Sequence, residues 1–442
     1  MSSMSWRDAV RPVRMQRIAL VVPREHRREL LDRVSSAGVV ELDPLRSELE
    51  LAVVADRRPE WSDRELELRR QLAQAVPHGP VTAWLGWTPA AALPGLAEAL
   101  RPVGGAAVPL PPPPGMQPPT LLRQRGPGRS FEVLVQTYTT VPYADVDPAL
   151  VAGLAYVAMF GMMFGDVGHG LLLLLGALIV RSGRFARLAK VRPAWPFLAG
   201  AGAASVVFGV LYGEMFGPTG LVPVVWLSPI DDVGTLLLTA IGAGAFLLAG
   251  AYALVIVNRF REGGWVFALY ARTGIAGALL FLALACVAGG IYFGGAGLLI
   301  AAVLLGVAGL VLTFAGLLAG SGGGAAGVLQ AIVELFDVVV RLGSNIVSFA
   351  RLAAFGLTHA ALGTIVWQGS VALWDAGSMP SRLGAALVLI VGTGIAFTLE
   401  ALVAGIQALR LEYYELFSRV FETDGRPFRP WRLPAEDVEV TS

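Results

Sequence analysis

Six polar residues recur at helical spacing inside one apolar stretch. Asp337, Arg341, Ser344, Ser348, Arg351 and Thr358 follow one another at steps of four, three, four, three and seven. Such steps return to one face of a helix, and His359 stands beside that face. A second stretch carries Thr393, Glu400, Gln407 and Tyr414 at steps of seven, with Arg410 three residues beyond Gln407. Carboxylates, an imidazole, hydroxyls and an amide can hand a proton along, and a guanidinium supplies a fixed positive charge. A charge at the centre of a bilayer costs ~2.5–3.5 kcal/mol on insertion scales, so two such stripes need partners, water or a function. Headgroup placement could account for Asp337, Arg341 and Arg410. It does not account for Arg351, whose nearest titratable neighbours in sequence are Arg341 and His359.

Other candidates are less specific. Asp166 and His169 lie in the glycine-rich turn MMFGDVGHG, and Glu214 lies in LYGEMFG. Each is read as structural or as part of an ion path. The single lysine, Lys190, excludes a G-x-x-x-x-G-K-[ST] phosphate loop, so this chain has no ATP site of that kind. Four scattered histidines show no zinc spacing and the one cysteine, Cys286, permits no intrachain disulfide, so no metal or other cofactor is expected.

The elements that must position these residues are membrane helices. Mean hydropathy is +0.64 and 15% of residues are charged, against about 25% in a soluble domain. The charge is unevenly placed: 35 of 67 charged side chains fall in residues 1–147. This excludes a single large soluble enzyme, a disordered chain and a broad basic nucleic-acid surface. The start of the chain lacks the apolar core of a secretory signal peptide. From Ala149 onward, eight spans are predicted, at about 148–165, 167–181, 194–215, 234–257, 272–293, 297–319, 328–368 and 382–421. The last two are about 40 residues each, or ~60 Å as helix, twice a perpendicular crossing. The loop RSGRFARLAKVR (181–192) holds five basic residues and no acid, whereas 216–233 has Asp231 and Asp232 but no Lys or Arg. The positive-inside rule then places both termini in the cytoplasm. Arginines of 181–192 also suit lipid phosphates. On this topology Asp337 lies near the cytoplasm, Arg351 is central, and His359 and Glu400 lie further out.

The segment before the spans has a different grain. Residues 16–22 and 39–42 read as strands flanking an amphipathic helix (24–37) closed by Gly38. A second such unit follows, with strands at 81–87 and 106–110 about a helix at 89–101. Two βαβ-like units predict a small α+β, ferredoxin-like domain over 1–110. Between them 61–76 has room for a few helical turns. PLPPPPGMQPP (109–119) is too proline-dense for helix or sheet, so 111–147 reads as a stiff linker and approach to the membrane. The transmembrane domain then spans 148–421, and 422–442 is a cytoplasmic tail.

Four stretches resemble the membrane subunit (subunit a, or subunit I) of rotary V-type and A-type ATPases: MMFGDVGHG (162–170), LYGEMFG (211–217), SNIVSFARLAAFGLTHAALG (344–363) and LEALVAGIQALRLEYYELFSRVFETDGRPFRPW (399–431). The resemblance runs from the first strand to the C-terminal region. It implies a stator subunit whose two final helices lie tilted against a rotating proteolipid ring and provide two proton half-channels. Arg351 matches the family's essential arginine and Arg410 its second arginine. Asp337 falls where the family has a cytoplasmic half-channel acid, and His359 and Glu400 fall on outer half-channel positions. Ser344, Ser348 and Gln407 line the same stripes. Implied partners are the proteolipid ring, peripheral stalks, other subunits of the ATPase and membrane lipids. The implied location is a prokaryotic plasma membrane. One departure stands out: family members carry a long coiled-coil hairpin and a distal lobe where this chain has only residues 43–80. Two alternatives are a secondary ion transporter, for which no inverted repeat is visible, and a non-transporting scaffold.

Overall fold

The computed structural model describes residues 12–43, 62–113, 116–122, 141–143, 145–146, 148–270, 273–420 and 425–434. Part of the shortened segment (44–61) and most of the approach to the membrane (123–140) lie outside the described residues. The chain divides into two compact units. One comprises 1–124, 140–147 and 423–442; the other comprises 125–139 and 148–422.

In the first unit the period-two pattern of β1 (Met15–Pro23) drives Ile18, Leu20 and Val22 to full burial. Helix α1 (Arg27–Ala37) lays Leu30, Leu31 and Val34 on that face and ends at Gly38, whose φ of 59° is left-handed. β2 (Glu41–Leu42), α2 (Asp63–Ala73), β3 (Val76–His78), β4 (Val81–Pro89), α3 (Leu93–Leu100) and β5 (Ala106–Leu110) complete it. These five strands pair antiparallel, in the order β2–β4–β1–β5, with β3 also on β4. Helix α2 opens on a Ser62 cap that accepts from the Glu65 N–H.

Two expectations need correction or extension here. The strand expected at 106–110 is β5, and Pro109, which also opens the proline-dense stretch, pairs opposite Ile18 within it. β5 is an edge strand, where a missing N–H leaves no ladder bond unmade. Residues 425–434 are not a loose tail. The Trp431 N–H donates to Val40 O at 2.7 Å, its indole N–H to Glu67 at 2.8 Å, and the Leu433 N–H to Ser35 Oγ at 2.8 Å. Trp431 and Leu433 pack on the core of this unit.

The second unit is helical throughout: α4 (Ala149–Met163), α5 (Val167–Ser182), α6 (Trp195–Tyr212), α7 (Val233–Tyr270), α8 (Ile275–Phe293), α9 (Ala296–Gly320), α10 (Gly324–Ser348), α11 (Ala350–Asp375) and α12 (Met379–Leu411). Among the described residues five helical stretches are long and apolar enough to cross a membrane, and α4 and α5 are shorter apolar helices. α11 pairs with α12, and both pack on α4; α7 packs on α11 and on α8. Within the predicted seventh span, 328–368, the helical run is interrupted at one residue, Phe349, which keeps helical dihedrals (φ −73°, ψ −14°). The chain leaves α10 at Ser348 and re-enters helix at Ala350, with Phe349 between them fully buried. Past Leu411, the last helix continues as a π-helical turn over Glu412–Phe417.

Candidate functional site

The turn between α4 and α5 is built around Asp166. It caps α5, accepting from the His169 N–H at 2.8 Å through Oδ1 and from the Gly217 N–H at 3.0 Å through Oδ2. The Val167 N–H donates to Glu214 O at 2.9 Å, so the LYGEMFG segment is strapped to the start of α5. Gly217, at φ +94°, also lies against Gly363 of α11: a Cβ there would stand 2.8 Å from the Gly363 carbonyl oxygen. Only glycine accepts both that backbone angle and that approach.

Four elements thereby converge. Asp166, His169, Glu214 and His359 are all buried. His359, on α11, contacts Glu400 of α12 through Nδ1 and Oε2. Glu214 lies within electrostatic range of His359, Asp166 and Glu400. The rings of Phe164, Phe216 and Phe397 surround His169, with centroids 5.3–5.5 Å away, and His359 stands edge-on at 5.4 Å. A cavity of about 170 Å³ borders the pair, lined among others by Met163, Phe355, Thr358, His359 and Glu400.

A second polar cluster surrounds the π-helical turn. Arg351 opens α11 half-buried, and its Nη1 is buried without a hydrogen-bond partner in the structure. Glu415 lies within electrostatic range of Arg351, Arg419 and Arg410, with the Ser348 hydroxyl beside it. The Asn345 amide, oriented to suit its neighbours, donates to Glu415 at 3.0 Å and accepts from Arg419 at 2.6 Å. Arg419 lies over the Tyr252 ring of α7 at 5.0 Å and donates to its hydroxyl. Glu412 is buried as well, and Gln407 Oε1, like Glu412 Oε2, has no hydrogen-bond partner.

The expected site residues therefore divide. Asp166, His169, Glu214, His359 and Glu400 come together, whereas Ser348, Arg351 and Arg410 belong with the second cluster. Arg410 is exposed, on the side of α12 that carries exposed Leu402 and Ile406. Ser344 is exposed and its carbonyl accepts from Ser348 Oγ. Asp337 stays on α10, paired with Arg341 at 2.6 Å, and both are exposed. Sequence reading missed Asn345, Glu412, Glu415, Arg419 and Tyr252. The signal existed for three of them, since Glu412, Glu415 and Arg419 continue the polar run beyond Arg410.

Apolar helices of this length, enclosing ionisable clusters, define an integral membrane protein. A family model for the V-type ATPase 116kDa subunit family matches residues 81–218. The chain is 28% identical over 361 residues to an A-type ATP synthase subunit I of Aeropyrum pernix, covering 71% of this chain and 51% of that protein. It is 29% identical over 396 residues to the A-type ATP synthase subunit I of Halobacterium salinarum, again 71% and 51%. A V-type ATP synthase subunit I 2 of Treponema pallidum is 38% identical over 88 residues, 20% of this chain and 19% of that one. Over about 71% of its length the chain is thus similar to subunit I of A-type ATP synthases, and over residues 81–218 to the V-type ATPase 116kDa subunit family. It spans about half the length of the curated relatives first matched.

Proposed function

We propose that this chain is the stator membrane subunit of a V/A-type rotary ATPase, providing two proton half-paths beside a proteolipid ring and coupling ion flow to ring rotation. The observation that carries the reading is Arg351: a partly desolvated guanidinium with one buried nitrogen unengaged, set between two buried polar clusters. His359 lies eight residues along α11, ~12 Å at helical rise, and Glu415 and Ser348 lie at the other end. The outer half-path runs through Asp166, His169, Glu214, His359 and Glu400. The inner one runs from Asp337 through Ser344, Ser348, Gln407 and the Glu412–Glu415 turn. The exposed strip of Leu402, Ile406 and Arg410 is the face offered to the ring.

The chemistry follows from charge. A ring carboxylate arrives protonated through lipid and meets a guanidinium that stays charged at any working pH, its pKa being above ~12. The cation favours the ionised carboxylate, so the proton leaves through the outer path. The carboxylate then turns to the inner path and is reprotonated. The same fixed charge blocks direct leak between the paths. ATP is bound by other subunits.

Eight spans with both termini cytoplasmic, and the domain limits 1–110, 111–147, 148–421 and 422–442, belong to the same reading. The strand order β2–β4–β1–β5 supports a ferredoxin-like N-terminal domain, a proximal lobe without its distal partner. With the distal lobe missing, at most one peripheral stalk contacts this chain, or a separate subunit compensates.

The test is Arg351→Ala and Arg351→Lys, read as ATP-driven acidification of vesicles holding the assembled complex. Arg351→Ala should abolish coupled flux with the ring still attached in a pull-down. Arg351→Lys should be severely impaired, because an ammonium lacks the planar fork and loses its proton more readily when desolvated. Normal pumping by Arg351→Ala in an intact assembly would refute the stator reading.

A further inference from the structure

The outer cluster carries more ligand chemistry than a proton path needs. Asp166, His169 and His359 each offer a donor atom, and these atoms lie within 4.8 Å of one another, all on buried residues. His169 is 3% exposed, and neither ring nitrogen makes a hydrogen bond; Nδ1 only approaches Asp166 Oδ1, at 3.6 Å. A neutral imidazole has one N–H to donate and one lone pair to satisfy. Burying both among Phe164, Phe216 and Phe397 leaves a strong ligand without a hydrogen-bonding partner in the protein.

The other two residues are prepared in a different sense. With His359 Nδ1 engaged by Glu400, Nε2 is the nitrogen left to coordinate. Metal-binding histidines ordinarily hand the second ring nitrogen to a carboxylate, which fixes tautomer and ring orientation. Asp166 has each oxygen held by one backbone N–H, so its direction is set by the α5 cap and the Gly217 strap, with lone pairs to spare.

We infer that Asp166, His169 and His359 form a binding site for a divalent transition-metal cation of the zinc type. Two imidazoles and one carboxylate suit that class; calcium and magnesium prefer all-oxygen shells. Zinc holds such ligands at ~2.0–2.2 Å, so donors in its shell sit roughly 3.3 Å apart. The donors here must therefore close by up to ~1.5 Å, a movement within reach of side-chain rotation at His169. The fourth position falls to water, since Glu400 is on the opposite side of the His359 ring, at Nδ1. The absence of zinc spacing in the sequence did not anticipate this, because the donors come from two distant segments. The cavity lined by Thr358, His359 and Glu400 borders the site. The effect of such an ion on transport rests on the outer-path reading above; its binding does not.

The full chain, purified in detergent through a tag without histidines, is given Zn²⁺ alone. One zinc per chain is expected, with nitrogen and oxygen but no sulfur in its X-ray absorption spectrum. His169→Gln and His359→Gln should each weaken binding at least tenfold, whereas His26→Gln, His78→Gln and Cys286→Ser should not. Should a site variant fail to fold, Co²⁺ added to the unaltered chain still decides, since cobalt held tetrahedrally by nitrogen and oxygen gives visible d–d bands far more intense than those of the hydrated ion, and their absence counts against the site. No saturable zinc, sulfur ligation, or binding indifferent to both site histidines overturns the inference. Flux in vesicles holding the assembled complex separates the two readings. Zn²⁺ should block it at concentrations that fill the site, and His169→Gln should raise the concentration needed. Stoichiometric binding at the two histidines with undiminished flux would uphold the metal site and remove these residues from the ion path.

Discussion

The ring of Phe349 occupies the space in which a side chain on Gly244 would begin: a Cβ built on that glycine would stand 2.1 Å from Phe349 Cγ. Phe349 is the residue at which α10 gives way to α11, two positions before Arg351. The niche on α7 thus fixes where the break falls and how Arg351 enters its helix. Gly244→Ala gains roughly 1 kcal/mol of helix propensity, against about 1–3 kcal/mol for overpacking. The expected result is a less stable chain with impaired ion flux, because the arginine is displaced. Phe349→Leu in the Gly244→Ala background should recover part of the thermal stability of the solubilised protein. If Gly244→Ala alone leaves both melting and flux unchanged, the niche does not position the break.

The inner cluster makes a second case. Asn345 joins Glu415 to Arg419, and Arg419 is held by Tyr252. Asn345→Leu should leave both charged groups short of a neutral partner, costing about 1–3 kcal/mol for each buried group left unsatisfied. Glu415→Gln keeps the shape but removes a titratable group, and should lower flux with little loss of assembled complex. Asp337→Asn should also reduce flux, more mildly, and barely alter stability, since its pair with Arg341 is exposed. Flux measured beside a ring pull-down separates transport from assembly. Unaltered flux in Asp337→Asn/Glu415→Gln would take the inner path away from both residues.

These two cases mark where sequence reading stops. The strands and helices of the first unit were legible because period-two and period-3.6 burial is local, as at Ile18, Leu20 and Val22 or Leu30, Leu31 and Val34. The facing stripes of α11 and α12 were legible for the same reason, and His359 does meet Glu400. The break at Phe349 was not, because neither Gly nor Pro marks it and the niche lies on another helix. The meeting of Asp166 and His169 with His359 depends on the Gly217–Gly363 contact, which no local pattern encodes.

The docked tail gives a prediction outside the membrane helices. Burial pushes the Glu41 carboxyl above the usual range, opposed by the Arg429 N–H and by Arg426. Glu41 accepts from that N–H at 2.8 Å and pairs with Arg426 at 3.0 Å. A carboxyl with a raised folded value holds its proton to higher pH when folded, so its contribution is present below about pH 4.5. That contribution is lost as pH rises through the folded value. Glu41→Gln removes this dependence: relative to the unaltered chain it should be more stable at pH 7 than at pH 4. Melting curves of the two proteins across that interval check the sign, and an opposite slope would mean that the Arg426 pair outweighs burial. Trp431→Ala, by contrast, should weaken docking at any pH, seen as faster hydrogen exchange in 425–434.

The last prediction concerns His359 and Glu400, where structural and transport roles make different demands. The two side chains are in contact and largely buried, at 5% and 11% exposure. Removing one member strands the other, and breaking a buried pair this way costs about 3–5 kcal/mol. Glu400→Gln and His359→Gln should each lower the stability of the solubilised chain. The double variant should lose less than the sum of the two, because an amide pair can hydrogen-bond and leaves no charge unpaired. Flux should behave otherwise. If the pair carries protons, two amides cannot replace it, so Glu400→Gln/His359→Gln should recover stability while remaining at or below the flux of either single variant. A thermodynamic cycle in melting temperature and the same cycle in vesicle acidification, run on one set of four proteins, make the comparison. Recovery of flux in step with stability would assign the pair to packing and leave the outer path to be sought elsewhere.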